Sequence, residues 1–516
     1  MQSISRFYGK SGDGKRLAPA DREFVARELS GAAAALKIYP ESVCSFTGGV
    51  VAAAREGEQR KLVGSSNLQF LHGREVVASP ERVVVADANA TEMNALRLAL
   101  PFLRPKLTGM TPSVGLGDRL GLATPGHIAA GADSGFILVL AQQSIREMTR
   151  TARTAQQVMD EAAFGILQCG YDAGFGSDAD HLKTTEDVDV TVAAGFTFFT
   201  IDPSAHVDDT VNAASEAELS KRIEKMIADG VAGAADWKKK YLERSFTVGK
   251  LTVRFDAPTL LRAAAKYGRA VAHAETIGKH IAKKAPQFEL ELSVDETALP
   301  TSVAEHFFIA HELAERGVRL ISLAPRFIGE FEKGIDYKGD LKAFEASLTD
   351  HAEIAKHYGP YKISVHSGSD KFAIYPSVAR ITEGRFHLKT AGTSYLEALR
   401  VVARRDTAMF REIIGFCRER FDTDKATYHI SAALSKVPEA TALKDGDLER
   451  VYLDENDGRQ ILHVTFGSVL TLPGADGKPR FRQRLLSLLN KEADLYVEVL
   501  KKHIGRHVNG LKAGMK

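Results

Sequence analysis

The stretch FELELSVDET (288–297) decides the fold class, because apolar and polar residues alternate along it. This period of two residues predicts a β-strand with one apolar face and one polar face, the polar face formed by Glu289, Glu291, Ser293 and Asp295. Residues 301–317 follow with apolar side chains at helical spacing and end at Gly317, which predicts a helix. A strand followed by a helix is the repeating unit of parallel α/β proteins.

The same alternation of strands and helices extends from about residue 110 to about 435. Eight strands are predicted, at 106–115, 178–184, 196–202, 288–294, 318–324, 361–366, 385–390 and 427–432. Eight such units predict a (β/α)8 barrel of the TIM type. The alternative is an open doubly wound sheet, with the glycine run GLGDRLG (115–121) as its dinucleotide loop. That run lacks the GxGxxG spacing, which disfavours the alternative.

Three further regions surround or interrupt the predicted barrel of residues 106–435. Residues 1–105 are predicted to form a small N-terminal α/β region, and residues 436–516 a mostly helical C-terminal extension packed on the barrel. A polar stretch at about 206–286, after the third predicted strand, is predicted to be a helical insertion. A chain of 516 residues exceeds the usual size of one domain, which agrees with such additions.

Composition excludes several classes of protein. The 68 Lys and Arg residues nearly balance the 66 Asp and Glu residues, so nothing indicates a nucleic-acid partner. The first residues have no apolar core of the kind that a signal peptide needs, and no run approaches about 20 apolar residues, so we expect neither secretion nor a membrane partner. The three cysteines are widely spaced and lack a CxxC motif, which is typical of reduced thiols. We therefore expect a cytoplasmic protein, with a homo-oligomer as an open alternative to a monomer.

Three histidines lie in polar contexts at predicted strand ends, where barrel enzymes carry their reactive groups. They are His181 in SDADHLKT, His366 in SVHSGSD and His387 in FHLKTAGT. The tetrapeptide HLKT thus occurs twice, at 181–184 and at 387–390. Three converging imidazoles would suit a catalytic divalent metal. The alternative is that each ring only hydrogen-bonds a neighbouring backbone group.

Two carboxylates lie where they could act beside such a metal. Asp180 precedes His181, and Glu291 lies on the polar face of its strand, so we predict that they form an acid/base pair. The alternative for Glu291 is a structural ion pair with Lys183 or Lys362. A further histidine motif, HIGRH (503–507), lacks the glutamate of HExxH and predicts a solvated basic helix face. GxSxG and Walker A motifs are absent, so hydrolysis and phosphoryl transfer have no support.

Nine ungapped stretches between about residue 107 and the C-terminus resemble the tagaturonate/fructuronate epimerases of bacterial hexuronate catabolism. Among them are GFGSDADHLK (174–183), SVDETALPTS (293–302), YKISVHSGSDKF (361–372) and FHLKTAGTSYLEA (386–398). Residues 1–105 match this family less clearly. The resemblance implies a metal-dependent epimerase that interconverts D-tagaturonate and D-fructuronate, with a small sugar acid as its substrate.

The resemblance also implies roles for individual residues. Asp180 and Glu291 would be the acid and base, and a divalent cation (Zn, Ni, Mn, Co or Fe) would be held by His181, His366 and His387. The two HLKT histidines would then face the same metal. Lys183, Arg326 and Lys389 are candidates to bind the substrate carboxylate, with a structural salt bridge as the alternative for each. A metal-dependent aldolase or ketose isomerase is the second hypothesis, and a non-catalytic sugar-acid-binding protein the third.

Overall fold

The computed structural model describes residues 4–32, 35–78, 81–232, 236–242, 244–390 and 392–515. Eight parallel strands close into a barrel in chain order, which confirms the predicted fold class. We number these barrel strands β1 (Ser113–Leu116), β2 (Ile137–Ser144), β3 (Gly176–Leu182), β4 (Phe198–Ile201), β5 (Glu289–Val294), β6 (Ser322–Pro325), β7 (Lys362–Val365) and β8 (Phe386–Thr390). Pairing of β8 with β1, which places His387 opposite Ser113, completes the ring.

Eight barrel strands were predicted and eight are present, but one predicted segment is not a strand and one strand was not predicted. The segment 427–432 is not a strand, since a 3-10 turn at Lys425–Thr427 leads into a loop in which His429 is exposed. The missing strand is β2, ILVLAQQS, an almost continuously buried run. Such runs are typical of parallel strands covered on both faces. This one escaped prediction because a helix begins at Ile145 with no turn residues between them.

A helix follows each barrel strand and packs outside it. The ring consists of Thr124–Gly131, Ala155–Cys169 with the short Ile145–Thr151 before it, Thr185–Ala193, Ala257–Lys284, Val303–Glu315, Leu341–Tyr358, Tyr375–Ile381 and Thr393–Arg405. Local capping starts several of these helices. Thr184, the last residue of the first HLKT copy, accepts a hydrogen bond from the backbone N–H of Asp187 and so caps the helix after β3. In the second copy the corresponding Thr390 lies within β8.

The insertion lies between β4 and the helix Ala257–Lys284. The strand before it was predicted as the third of the barrel and is the fourth, because β2 was not predicted. It contains the helices Glu216–Ala228 and Lys239–Leu242 and an antiparallel hairpin of Ser245–Val248 with Leu251–Arg254. Residues 233–235 and 243 of the predicted insertion lie outside the described residues. The helix Ala257–Lys284 packs against its neighbours in the ring, so it belongs to the barrel.

The N-terminal region is built on an antiparallel sheet of seven strands: Lys15–Arg16, Leu36–Ile38, Cys44–Phe46, Gly49–Glu56, Gln59–Ser65, Arg74–Ala78 and Glu81–Asp87. Two helices, Pro19–Ala32 and Ala90–Ala99, accompany it. Short 3-10 turns lie at Ser5–Phe7, Pro40–Ser42, Pro101–Leu103, Ser204–His206, Asp209–Ala213, Leu434–Lys436 and Ala440–Ala442. Within the ranges that the structure describes, no helix is long and apolar enough to cross a membrane.

The C-terminal part of the chain is mostly helical. Its helices are Thr407–Asp424, Asp445–Glu449, Asn456–Val464, Phe466–Thr471, Arg482–Lys491 and Ala493–Gly514, with a π-helical turn at Arg450–Asp454. The last helix packs against the ring helices that follow β1, β7 and β8. The packing is close, since a Cβ atom on Gly126 would lie 2.5 Å from the Cβ atom of Leu500.

Candidate active site

A buried lysine near the end of β8 lies at the centre of the barrel mouth. The Nζ atom of Lys389 is 2.8 Å from Asp178, 2.7 Å from Asp180 and 2.8 Å from Glu291, and it donates to the Thr200 hydroxyl at 2.6 Å. Although burial opposes it, these carboxylates raise the pKa of Lys389. One cation among three carboxylates leaves an excess of negative charge, which suits the binding of further protons or of a metal cation.

His366 and His181 lie beside these carboxylates. Nε2 of His366 is 2.6 Å from Glu291 and its Nδ1 is 3.3 Å from Asp295. Burial and Lys389 oppose protonation, but Asp295 and Glu291 outweigh them and raise the pKa of His366 to about 10. Nδ1 of His181 is 2.8 Å from Asp180. The ring centres of His181 and His366 are 5.2 Å apart. His181 adopts a left-handed backbone conformation (φ 57°), a strained geometry that functional sites often retain.

Asp180, His181 and His366 could hold a metal ion, because one ligand atom from each lies within 4.8 Å of the others. Imidazole nitrogens with a carboxylate oxygen suit zinc and the other first-row divalent metals. The residues present therefore fit a divalent cation. His366 would have to exchange one of its two carboxylate contacts for the metal.

His387, the third predicted metal ligand, lies deeper in the barrel than this group. Its Nδ1 is 2.9 Å from the Ser113 hydroxyl, and its Nε2 is 3.7 Å from Asp178. The ring is fully buried, and burial lowers its pKa. The structure thus brings His181 and His366 together. His387 lies one layer of side chains deeper in the barrel, because it precedes Lys389 by two residues on β8.

The predicted cations have separate surroundings. Lys183 is half-exposed and contacts Ser204 and Asp202. The side chain of Arg326 donates to the carbonyl of Thr297 and lines an adjoining cleft.

Glu291 is paired with Lys389, and neither cation predicted as its structural partner, Lys183 or Lys362, takes that place. Lys362 instead donates to Thr108 and Ser113 near the bottom of the barrel.

A cavity of about 60 Å³ opens above the Asp180–His181–His366 group. Residues that the sequence analysis did not assign to the site also line it: Gln142, Arg146, Glu296, Lys333, Tyr428 and His463. Arg119, three residues beyond the end of β1, lines it as well. Most of these residues lie on loops or in the C-terminal extension, where no periodic pattern marks them. Only strand-end position could have drawn attention to Gln142 and Arg119.

The HIGRH histidines are buried, so the prediction of a solvated helix face was wrong. Nε2 of His503 is 2.7 Å from Asp370, and the backbone N–H of Asp370 donates to Nε2 of His507 at 3.0 Å. Arg459 also pairs with Asp370 at 2.8 Å. Burial of these histidines is tolerated because Asp370, remote in sequence, supplies their hydrogen-bonding partner. The last helix is thereby attached to the loop after β7, four residues beyond His366.

The closed (β/α)8 barrel and the cluster of polar groups at the carboxyl ends of its strands are typical of barrel enzymes. The sequence profile of the tagaturonate epimerases matches residues 39–511. A tagaturonate/fructuronate epimerase from Thermotoga maritima is 44% identical over 426 residues, which cover 83% of this chain and 86% of that protein. The chain belongs to the tagaturonate epimerase family and is an isomerase acting on carbohydrates. The resemblance noted in the sequence is confirmed.

Solved structures agree with this assignment. The native crystal structure of a fructuronate-tagaturonate epimerase from Cohnella laeviribosi matches with a TM-score of 0.87 and 36% identity, covering 95% of this chain and 99% of that one. A glycerol complex of the same protein matches with a TM-score of 0.88, covering 96% of this chain and 100% of that one. The N-terminal region, which the sequence matched less clearly, is largely included in this structural match.

Proposed function

We propose that this enzyme interconverts D-tagaturonate and D-fructuronate in hexuronate catabolism, using a divalent metal and two carboxyl groups. The observation that carries the proposal is the convergence of Asp180, His181 and His366 in the barrel cavity of a chain 44% identical to a tagaturonate/fructuronate epimerase. A cytoplasmic location belongs to the same proposal and is supported by the three free cysteines.

Asp180, His181 and His366 would hold the metal. A bound Zn, Ni, Mn, Co or Fe ion would supply Lewis-acid polarisation of the substrate ketone. His387 would reach such an ion only by leaving Ser113 and Asp178. We therefore assign to His387 the support of Asp178, which in turn holds Lys389 in place.

The carbon to be inverted lies one position beyond the carbon that the ketone acidifies, so enolisation alone does not reach it. We propose retro-aldol cleavage between these two carbons. One carboxylate removes the proton from the hydroxyl group of the outer carbon, and the C–C bond breaks to give an enolate and an aldehyde. The aldehyde rotates and the bond forms again on its opposite face. The proton that the first carboxylate removed passes to the second carboxylate through Lys389, which contacts both, and the second group returns it to the new alkoxide oxygen. Atoms and charge are conserved over the cycle.

Asp180 and Glu291 are suited to these steps because both are held as carboxylates. Against the effect of burial, His181 and Lys389 keep the pKa of Asp180 well below its usual value. Lys389 and His366 do the same for Glu291. Asp180 borders the cavity directly. Glu291 is fully buried behind His366, so we propose that His366 gives up its 2.6 Å contact with Glu291 when it binds the metal, which frees this carboxylate to exchange a proton with the substrate.

Of the cations predicted to bind the substrate carboxylate, Lys389 is occupied by the three protein carboxylates. Arg326 donates to the Thr297 carbonyl and lines the adjoining cleft, apart from the Asp180–His181–His366 group. Lys183 is the least suited of the three to bind the substrate carboxylate, because its Nζ atom already contacts Asp202 and Ser204.

The test uses metal-stripped enzyme with D-fructuronate, with and without Mn, Ni, Co or Zn, and follows D-tagaturonate by NMR. We expect interconversion that requires metal and is lost in His366→Ala, while an exposed-site control such as Lys342→Met retains it. Turnover without metal, or unchanged turnover in His366→Ala, contradicts the proposal. Accumulation of two fragments instead of an epimer favours the aldolase hypothesis, and binding without any conversion favours the non-catalytic one.

A further inference from the structure

His463 lies in the cavity wall with both ring nitrogens unsatisfied among the described residues. It belongs to the helix Asn456–Val464 and is 2% exposed. The ring is held between two glycines: a Cβ atom on Gly334 would lie 3.0 Å from its Nδ1, and one on Gly392 would clash with Cε1. A buried polar group without a partner is costly, so a ligand that satisfies it is expected.

Arg119 presents a second unsatisfied donor to the same cavity. Its Nε and Nη2 atoms donate to Glu147 at 3.0 and 2.6 Å, and its guanidinium lies 3.6 Å from the centre of the Phe466 ring. These contacts fix the side chain and leave Nη1 buried without a partner in the described part of the chain. Such a preorganised donor loses little conformational entropy when a ligand binds.

Lys333 completes the group. It lies on the loop after β6, lines the cavity and donates to the Ser367 hydroxyl at 2.6 Å, which leaves two of its N–H donors for a ligand. Together with Arg119 and Arg459 it surrounds His463 with positive charge. Burial and these cations hold the pKa of His463 well below its usual value, so the ring is neutral and can donate from one nitrogen.

The cavity therefore has two kinds of wall. Asp180, Asp295 and Glu296 supply carboxylates around the imidazoles of His181 and His366, whereas Arg119, Lys333 and His463 supply donors. We propose that Arg119, Lys333 and His463 form the subsite that binds the carboxylate of the substrate and selects sugar acids over neutral ketoses. This inference rests on the proposed function for the identity of the substrate.

The chemistry of a linear keto hexuronate matches this division. Its ketone and its carboxylate are separated by four C–C bonds, roughly 5 Å for bonds of about 1.5 Å. Because both groups line the same cavity, the proposal places the ketone at the metal group and the carboxylate at the three donors. Hydrogen bonds from charged donors to a carboxylate are about twice as strong as neutral ones.

Turnover provides the first test. For Lys333→Met we expect kcat/KM with D-fructuronate to fall about 10- to 100-fold, mainly through KM, while turnover of D-fructose, which has CH2OH in place of the carboxylate, changes less than about twofold. Lys333→Arg is expected to restore most of the loss. Lys342→Met, which removes an exposed charge from a ring helix, is the control for net charge. Equal losses with both sugars, or no loss with either, overturn the proposal.

Binding provides the second test and does not depend on catalysis. Calorimetric titration compares D-mannonate with D-mannitol, a linear acid and its neutral counterpart. Wild-type enzyme is expected to prefer D-mannonate, and Lys333→Met to lose most of that preference, as is His463→Leu if it retains the wild-type unfolding midpoint. Wild-type enzyme that turns over D-fructuronate but does not prefer D-mannonate overturns the subsite. Wild-type enzyme that shows the preference without turnover overturns the proposed function and leaves the subsite standing.

Discussion

Lys389 is the cation shared by the three carboxylates at the centre of the site, and Lys389→Met removes it. Asp178, Asp180 and Glu291, each within 2.8 Å of Nζ and all buried, would lose their shared partner. Removing one member of a buried ion pair costs roughly 3–5 kcal/mol. Because three carboxylates are affected, we expect the free energy of unfolding at pH 7 to fall by an amount near the upper end, about 5 kcal/mol.

This loss depends on pH in a defined direction. In the wild type, Lys389 helps to hold the pKa values of Asp180 and Glu291 well below those of the unfolded chain. Their stabilisation is therefore complete above the unfolded carboxyl pKa, about 4, and is lost as the pH falls through the folded values. Without Lys389 the folded pKa values rise. The difference in stability between wild type and variant should be largest near pH 7 and shrink below about pH 4.

Urea unfolding followed by circular dichroism measures the stability, and kcat and KM for D-fructuronate are determined on the same preparations. Lys389→Arg keeps the charge and should lose less stability than Lys389→Met, while Lys342→Met should match the wild type. The reasoning is refuted if Lys389→Met loses less than about 1 kcal/mol. A variant of normal stability and kcat but raised KM would instead identify Lys389 as a substrate-carboxylate ligand.

Two further predictions concern contacts around the site. Glu332 accepts hydrogen bonds from Lys338, Ser431 and Gln460, which outweigh burial and lower its pKa to about 2. Glu332→Gln should therefore lower the free energy of unfolding by about 2 kcal/mol at pH 7, and the difference from the wild type should shrink as the pH falls from about 4.5 towards 2. A difference in stability that does not change with pH would contradict this prediction. His503→Leu should lower the free energy of unfolding by about 2 kcal/mol, because Asp370 loses a buried hydrogen-bonding partner. The control Lys502→Leu, at an exposed position of the same helix, should leave stability unchanged. Equal losses in both variants would show that the His503–Asp370 contact does not stabilise the protein.

The sequence was informative wherever strand periodicity controlled the direction of a side chain. The alternation in 288–294 predicted that Glu291 shares a face with Glu289, and both do point into the barrel, where Glu291 meets Lys389 and Glu289 accepts hydrogen bonds from Thr108 and Gly109. Depth along a strand could not be predicted in the same way. His181 lies near the end of β3 and His387 near the start of β8, so one tetrapeptide places its histidine in two different layers.

The remaining site residues come from segments without periodicity. Lys333 lies on the loop after β6, Tyr428 on the loop mistaken for a strand, and His463 on a helix beyond the barrel. Their positions result from long-range packing, as does the burial of His503 and His507 against Asp370. A local pattern such as HIGRH carries no information about a carboxylate more than a hundred residues away.

The attachment of the last helix to Asp370 has a consequence for how the enzyme matures. All eight barrel strands have been synthesised by residue 390, but the loop that carries His366 gains its contacts to His503 and His507 only after a further hundred residues have left the ribosome. A nascent chain can therefore assemble the barrel before it can hold that loop in its final position. Catalytic competence is therefore expected only after the last helix has been synthesised and has bound Asp370.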